Sequence, residues 1–272
     1  MFTPRILKLT LTQQRFNLKN SEDSAISSES PVLIISDITT EIAICHSYFK
    51  ALKKKDPTMK FAKPALTATR INLAACGVPL RSHGLDVLPI PDSFWPVPTE
   101  VSDRAVCETQ PHIQQLIPYV TLINEHNQLF VYGRGEKGGE KRLVGKLSLG
   151  LGGHVDTECG GDLKEHLALE ALRELKEEAS LTLSKEDILF QALLSDQMPD
   201  GNAVSAGSVH LGIWCVAFVT SSDIGKLEAG IINDGDWLSL DVAAGMFDSF
   251  ETWSQMIIRE LQDFGDSRNL LV

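Results

Sequence analysis

A mixed α/β layer fold is the class the sequence predicts, on three observations. Apolar runs of strand length recur along the second half: "LIPYVTLIN", "QLFVYGR", "ILFQALLSD" and "VHLGIWCVAFVT". Two amphipathic stretches of helical period are interspersed with them, "LKEHLALEALRELKEEASL" and "FETWSQMIIRELQDF". With 43% hydrophobic residues in 272, the chain can bury one sizeable core and a second small one. Strands with two interspersed helices imply helices layered on a sheet.

From the N-terminus, "MFTPRILKLTLTQQRF" breaks its apolar residues with Arg5, Lys8 and Arg15 before a signal-peptide core can form, and no run reaches the eighteen or so apolar residues of a membrane span. A cytoplasmic protein without membrane contact is expected. "NSEDSAISSES" (20–30) is serine-rich and acidic and reads as a linker. "PVLIIS" reads as a buried strand. Ile38, Ile42, Cys45, Phe49 and Leu52 then recur at helical spacing behind Asp37 as N-cap, ending in a lysine run at 53–55. "ALTATRINLAACG" reads as a second short helix closed by Gly77. "VLPIPDSFWPVPTE", with four prolines, should be extended and irregular. These readings divide the chain into an N-terminal extension or small α/β region (1–86), a proline-rich connection (87–112) and a main domain (113–272).

In the main domain, Glu125 to Asn127 turn the chain between the first two strands, predicting a hairpin. "KLSLGLGG" is a strand running into glycines. "GRGEKG" matches a dinucleotide-binding fingerprint literally at Gly133, Gly135 and Gly138, but no helical period follows, so it reads as a glycine-rich connection. Arg134, Lys137, Lys141, Arg142 and Lys146 concentrate positive charge there, suited to an anionic substrate. In the last helix Trp253, Met256, Ile257 and Leu261 share one face.

Charge and cysteines narrow the function classes. Residues 1–85 hold twelve Lys and Arg against six acids (+6), and residues 86–272 hold thirteen against thirty (−17). Such a domain repels a nucleic-acid backbone unless a cation intervenes. Five widely spaced cysteines without a C-x-x-C pair argue against a disulfide framework or thiolate zinc site, and Cys215 reads as core.

The carboxylate-rich helix carries the chemistry. Asp162 and Glu165 are spaced as a helix N-terminus. Leu163, Leu167, Ala168, Ala171, Leu172 and Leu175 form the apolar stripe, while Glu170, Glu174, Glu177 and Glu178 form an acidic ridge beside it. Exposed, such charges cost a few tenths of a kcal/mol each. Partly buried, two carboxylates about 5 Å apart at an effective dielectric near 20 repel by roughly 3 kcal/mol, which protonation or a bound cation relieves. Hard oxygen ligands on a rigid helix suit magnesium or manganese. Gly152 and Gly153, at the end of the preceding strand, let backbone approach a metal or phosphate closely.

These residues resemble the Nudix signature, G-x5-E-x7-R-E-U-x-E-E-x-G-U with U apolar. Glu165 is followed after seven residues by Arg173, Glu174, Leu175, Lys176, Glu177, Glu178, Ala179, Ser180 and Leu181. Ser180 replaces the last glycine, predicting a modestly strained or altered helix cap. With Gly153 as the signature glycine, the loop containing "DTECGGD" carries a six-residue insertion. The resemblance covers roughly residues 113–265 and implies a Nudix-type α/β/α sandwich with a mixed sheet, beside an N-terminal region of uncertain fold. It implies hydrolysis of a diphosphate linkage in a nucleoside diphosphate derivative or related small molecule, with Mg2+ or Mn2+ as cofactor. Glu177 and Glu178 would hold metal, with Glu174 a further ligand or the base orienting water, and Gly153 or Gly152 would offer a backbone carbonyl. Arg173, Glu174 and Glu178 would be the catalytic group, and Arg134, His154 and His210 would meet substrate. Glu228, Asp234 and Asp236 are candidates for a base outside the helix. Alternatives on the same fold are a binding or regulatory module with little hydrolysis, or a diphosphate isomerase. The expected partner is a small-molecule diphosphate, with homodimer assembly allowed and nucleic acid disfavoured.

Overall fold

A computed structural model describes residues 63–137, 143–198 and 207–264, all within the second of the two units into which the chain divides, Phe49–Val272. The expected linker at 20–30, the strand and helix between 31 and 52, the lysine run, Gly138, Lys141 and Arg142 lie outside the described residues.

In chain order, the described elements are β1 (Pro64–Thr69), α1 (Arg70–Ala75), β2 (Leu85–Pro89), β3 (Glu100–Asp103), α2 (Arg104–Cys107), β4 (Ile113–Ile123), β5 (Leu129–Arg134), β6 (Leu147–Ser148) and β7 (Gly150–Leu151). There follow α3 (Leu163–Ala179), β8 (Leu189–Asp196), β9 (His210–Phe218), β10 (Ile232–Leu238), α4 (Leu240–Gly245) and α5 (Thr252–Phe264). One mixed sheet runs β10-β5-β4-β9-β8-β2, with β1 and β7 also pairing β4, β3 pairing β1 and β6 pairing β5. The β4–β9 pair is parallel, from Gln115 opposite His210 to Ile123 opposite Phe218, and the other pairs are antiparallel.

Side-chain alternation along the central strands builds the two layers. In β9, Leu211, Ile213, Cys215 and Ala217 enter one core with Leu163, Leu167, Ala171 and Leu175 of α3. Trp214 and Val216 enter the other, with Met256, Ile257, Ile258 and Leu261 of α5. The sheet is therefore covered by a helix on each face, as the α/β/α sandwich requires, and Cys215 is core as expected. Among the described residues no helix is long and apolar enough to cross a membrane.

Two expectations are corrected. The stretch read as one short helix is a strand followed by a helix: Thr69, whose hydroxyl accepts from the Asn72 amide at 3.2 Å, caps α1 at the point where β1 ends. The strand interpretation wins for 64–69 because Ala65, Leu66 and Ala68 are buried and paired with β3 and β4. The expected boundaries at 86/87 and 112/113 fall within the sheet itself, since β1 pairs β4 and β2 pairs β8. The prolines ration backbone donors along "VLPIPDSFWPVPTE" without detaching it: it forms β2, a 3-10 turn at Asp92–Phe94 and the start of β3, and Phe94 is fully buried.

The hairpin forms as predicted, Asn127 adopting φ 62° while the Asn124 carboxamide oxygen accepts from the His126 and Gln128 amides. "GRGEKG" begins as the end of β5, with the Gly135 amide donating to the Ile231 carbonyl at 2.8 Å, and among the described residues no α-helix starts there. Helix α3 starts where expected: the Asp162 carboxylate accepts from the Glu165 amide at 2.9 Å. It ends at Ser180, which adopts the left-handed φ of 51° that the missing glycine would have supplied. Its hydroxyl donates to the Lys226 carbonyl at 2.8 Å, offsetting part of the left-handed cost of roughly 1–2 kcal/mol. Ser180→Gly is accordingly expected to change stability by less than about 1 kcal/mol, relief of strain cancelling the lost bond. Urea denaturation checks this, and a loss well beyond that range would mean that Ser180 does more than cap.

Candidate active site

The carboxylates of α3 are brought to the glycines by two close approaches, one to backbone and one to a side chain. β7 runs antiparallel to β4 (Leu151 opposite Val120), and the chain leaving it presses Gly152 against the Pro118 carbonyl, so near that a Cβ on Gly152 would lie 2.0 Å from that oxygen. In a strand a residue's N–H and C=O point the same way, so the donor that Pro118 lacks is missing on the side where Gly152 departs from the ladder. The Gly152 amide instead donates to Glu178 Oε2 at 3.2 Å. Next along, Gly153 leaves room for Glu174: a Cβ there would stand 2.4 Å from Glu174 Oε1.

Arg173 holds this arrangement. Its guanidinium donates to Glu170 Oε2 (2.9 Å), Glu174 Oε1 (2.7 Å), Glu177 Oε2 (3.0 Å) and the His154 carbonyl (3.2 Å). It thus ties the acidic ridge to the loop beyond the glycines, and the carboxylates around it keep it cationic. An ammonium cannot span four acceptors in a plane. Arg173→Lys should therefore lower activity by about 10–100-fold, as loss of an orienting partner does, with little change in stability. Steady-state kinetics beside thermal melting separates the two effects.

Glu174 and Glu178 line a cleft of about 550 Å³ together with Gly152, Gly153, His154, Arg134, Arg104, Arg173, Asp196 and His210. Glu178 is 8% exposed; burial, then the charge of Glu174, pushes its carboxyl up to about 8. Burial also raises Glu174, against the lowering effect of Arg173. Two largely desolvated acids on one helix are the strained pair that the ridge predicted, and that strain is what a cation would relieve.

Glu177 does not join them. More than half exposed, it pairs with Arg173 outside the cleft lining. Glu165 turns to Lys185 instead, at the start of the helix. Arg134, at the end of β5, does reach the cleft; burial lowers its pKa, but Tyr132, Tyr119, Glu251 and Glu178 outweigh this and keep it charged. Glu228, Asp234 and Asp236 are exposed and absent from the lining, Asp236 accepting from the Trp237 amide.

Sequence reasoning missed Arg104 and Asp196. Asp196 ends β8, and burial raises its carboxyl although the Met198 amide donates to it at 2.9 Å. It fell in the quoted run "ILFQALLSD", whose terminal acid at a strand's carboxyl end was the available signal. His154 and His210 come together: their Nε2 atoms are 3.1 Å apart, and Glu108 Oε1 is 3.7 Å from His210 Nε2. Burial, then Arg104 and His210, holds His154 down to about 2, so this imidazole is neutral.

No protein-family model matches the chain. It is 33% identical over 162 residues to protein YmaB of Bacillus subtilis (strain 168), a match spanning 58% of this chain and 76% of that protein. Among solved structures it is similar to Tm1382, described as a candidate Nudix hydrolase: TM-score 0.57 and 18% identity, covering 74% of this chain and all of that one. The mixed sheet between helical layers, with the R-E-U-x-E-E helix beside Gly152 and Gly153, agrees with that likeness. The chain belongs to the family of protein YmaB, and its fold is that of the Nudix hydrolases.

Proposed function

We propose that this protein is a divalent-metal-dependent hydrolase cleaving a diphosphate linkage, in a nucleoside diphosphate derivative or a related small molecule. One observation carries the reading: Glu178, buried, and Glu174, half-buried, stand against a glycine backbone inside a cleft that also holds Arg104, Arg134 and Arg173. The donor set fits Mg2+ or Mn2+, being hard oxygens on a rigid helix, with room at Gly153 that any side chain would fill. Glu174, Glu178 and the Gly153 carbonyl would hold the ion, and Glu177, at the solvent edge, would join only by releasing Arg173. Bound there, the metal would neutralise the diphosphate and acidify the attacking water.

The chain's own groups do the rest. Arg104 and Arg134 offer charged donors to phosphate oxygens, and Arg173 orients Glu174. His154 and His210 line the cleft within reach of a bound substrate, directly or through an ion that they hold. Water adds to one phosphorus and the bridging P–O bond breaks, giving two phosphorylated products. Asp196 is the cleft carboxylate outside α3 best suited to accept the water's proton, since burial raises its carboxyl toward the working pH. The cleft volume suits a ligand of nucleotide size. A reducing, cytoplasmic setting accords with free thiols at Cys76, Cys107, Cys159 and Cys215.

A panel of nucleoside diphosphate derivatives incubated with Mg2+ tests this, with release of phosphorylated products as readout. Turnover that EDTA removes is expected. Isomerised but uncleaved diphosphate, or ligand binding with no turnover across the panel, would overturn the hydrolase reading in favour of an isomerase or a binding module.

A further inference from the structure

Three residues from distant parts of the chain converge beside the cleft, two of them lining it. Glu108 caps α2, His154 follows the two glycines, and His210 opens β9. Their ligating atoms all lie within 4.8 Å of one another, and they are the one His/Cys/Asp/Glu group of three meeting that closeness among the described residues. We propose that Glu108, His154 and His210 form a second cation site, selective for a borderline transition metal such as Zn2+, Co2+ or Ni2+.

The spacing supports it. Two imidazole nitrogens bound to one ion at about 2.0–2.1 Å stand about 2.9 Å apart at a right angle and about 3.3 Å apart in a tetrahedron. The observed 3.1 Å between the Nε2 atoms falls between those values, and the 3.7 Å from His210 Nε2 to Glu108 Oε1 needs only a small side-chain shift. Supporting contacts are already present. Gln115, fully buried and directly across the parallel pair from His210, donates its amide to Glu108 Oε1 at 3.3 Å, as outer partners of metal-binding carboxylates do. His154 and His210 line the cleft, so a fourth position on the ion would open toward it.

Donor chemistry separates this site from the one on α3. Two imidazoles with one carboxylate suit zinc-like ions, whereas magnesium prefers oxygen and water. The alternative arrangement is an imidazole–imidazole hydrogen bond with no ion, and the test distinguishes the two. The inference does not depend on the hydrolase reading, because its readout is metal binding rather than turnover.

The experiment is titration of the full-length protein with Co2+ alone, followed by visible d–d absorption and by equilibrium dialysis. One equivalent with the intense spectrum of a four- or five-coordinate ion is expected, in the wild type and in Glu178→Gln alike. Glu108→Gln and His210→Gln should each weaken that species by more than the ~10–100-fold that outer partners cost. Glu108 is partly exposed, so its variant keeps the test usable if His210→Gln fails to fold, which far-UV circular dichroism would reveal. Absence of the spectrum in the wild type would overturn the proposal. So would a spectrum unchanged in Glu108→Gln, or one lost in Glu178→Gln.

Discussion

Glu178→Gln should lower metal-dependent turnover by well over ~100-fold, more than removal of an outer partner of a metal ligand does. Glutamine keeps the shape of Glu178 and can still accept from the Gly152 amide, but it carries no charge for a cation. The same substitution should act in the opposite direction on stability. In the metal-free protein the Glu178 carboxyl is raised from 4.5 to about 8, chiefly by burial, so the folded state binds its proton more tightly than the unfolded chain. The sign follows from that difference: the group's contribution to stability is fully present below about 4.5 and is lost as pH rises toward about 8, at about 1.4 kcal/mol per unit. Glutamine does not titrate. The variant should therefore gain on wild type through that window and hold its advantage above it, as urea denaturation in EDTA at pH 5 and pH 9 would show. Parallel stabilities at both pH values would mean that Glu178 is not the desolvated acid described above. Mg2+ should erase the wild type's deficit, because a cation replaces the proton.

The second large effect separates two adjacent glycines. Gly152→Ala would drive a Cβ to 2.0 Å from the Pro118 carbonyl, which is backbone of the central strand β4 and cannot swing aside. A loss of about 3 kcal/mol or more is expected, at the upper end of overpacking costs. Gly153→Ala meets the end of a side chain instead, 2.4 Å from Glu174 Oε1, and Glu174 can rotate away. Its stability should change by no more than about 1 kcal/mol. Its activity should fall by roughly 100-fold, since displacing a ligating group by about an ångström is enough for that. Melting temperatures read beside kinetics would show the split. If Gly153→Ala were fully active, the carboxylate of Glu174 would not be needed where it stands.

Much of this was legible in the sequence because it is local or periodic. Helix α3, its Asp162 cap, the hairpin at Asn127 and the apolar runs of β8 and β9 follow from spacing and turn chemistry that act within a few residues. The acidic ridge and Arg173 were legible for the same reason: a helix fixes which of its own side chains are neighbours. Residues 64–112 were misread because the partners that make β1, β2 and β3 strands lie in β4 and β8, far along the chain, and prolines in that stretch mimic a linker.

What the sequence determined by itself is thus the helix, its charges and the glycines ahead of it. Only the tertiary structure decided which of those charges is buried, turning Glu174 and Glu178 into the cleft and leaving Glu177 in solvent, because burial depends on how α3 lies against the sheet. It also decided that Glu108, His154 and His210 meet. Those residues are far apart in sequence, and only the parallel pairing of β4 with β9 and the departure of the chain at Gly152 bring them together.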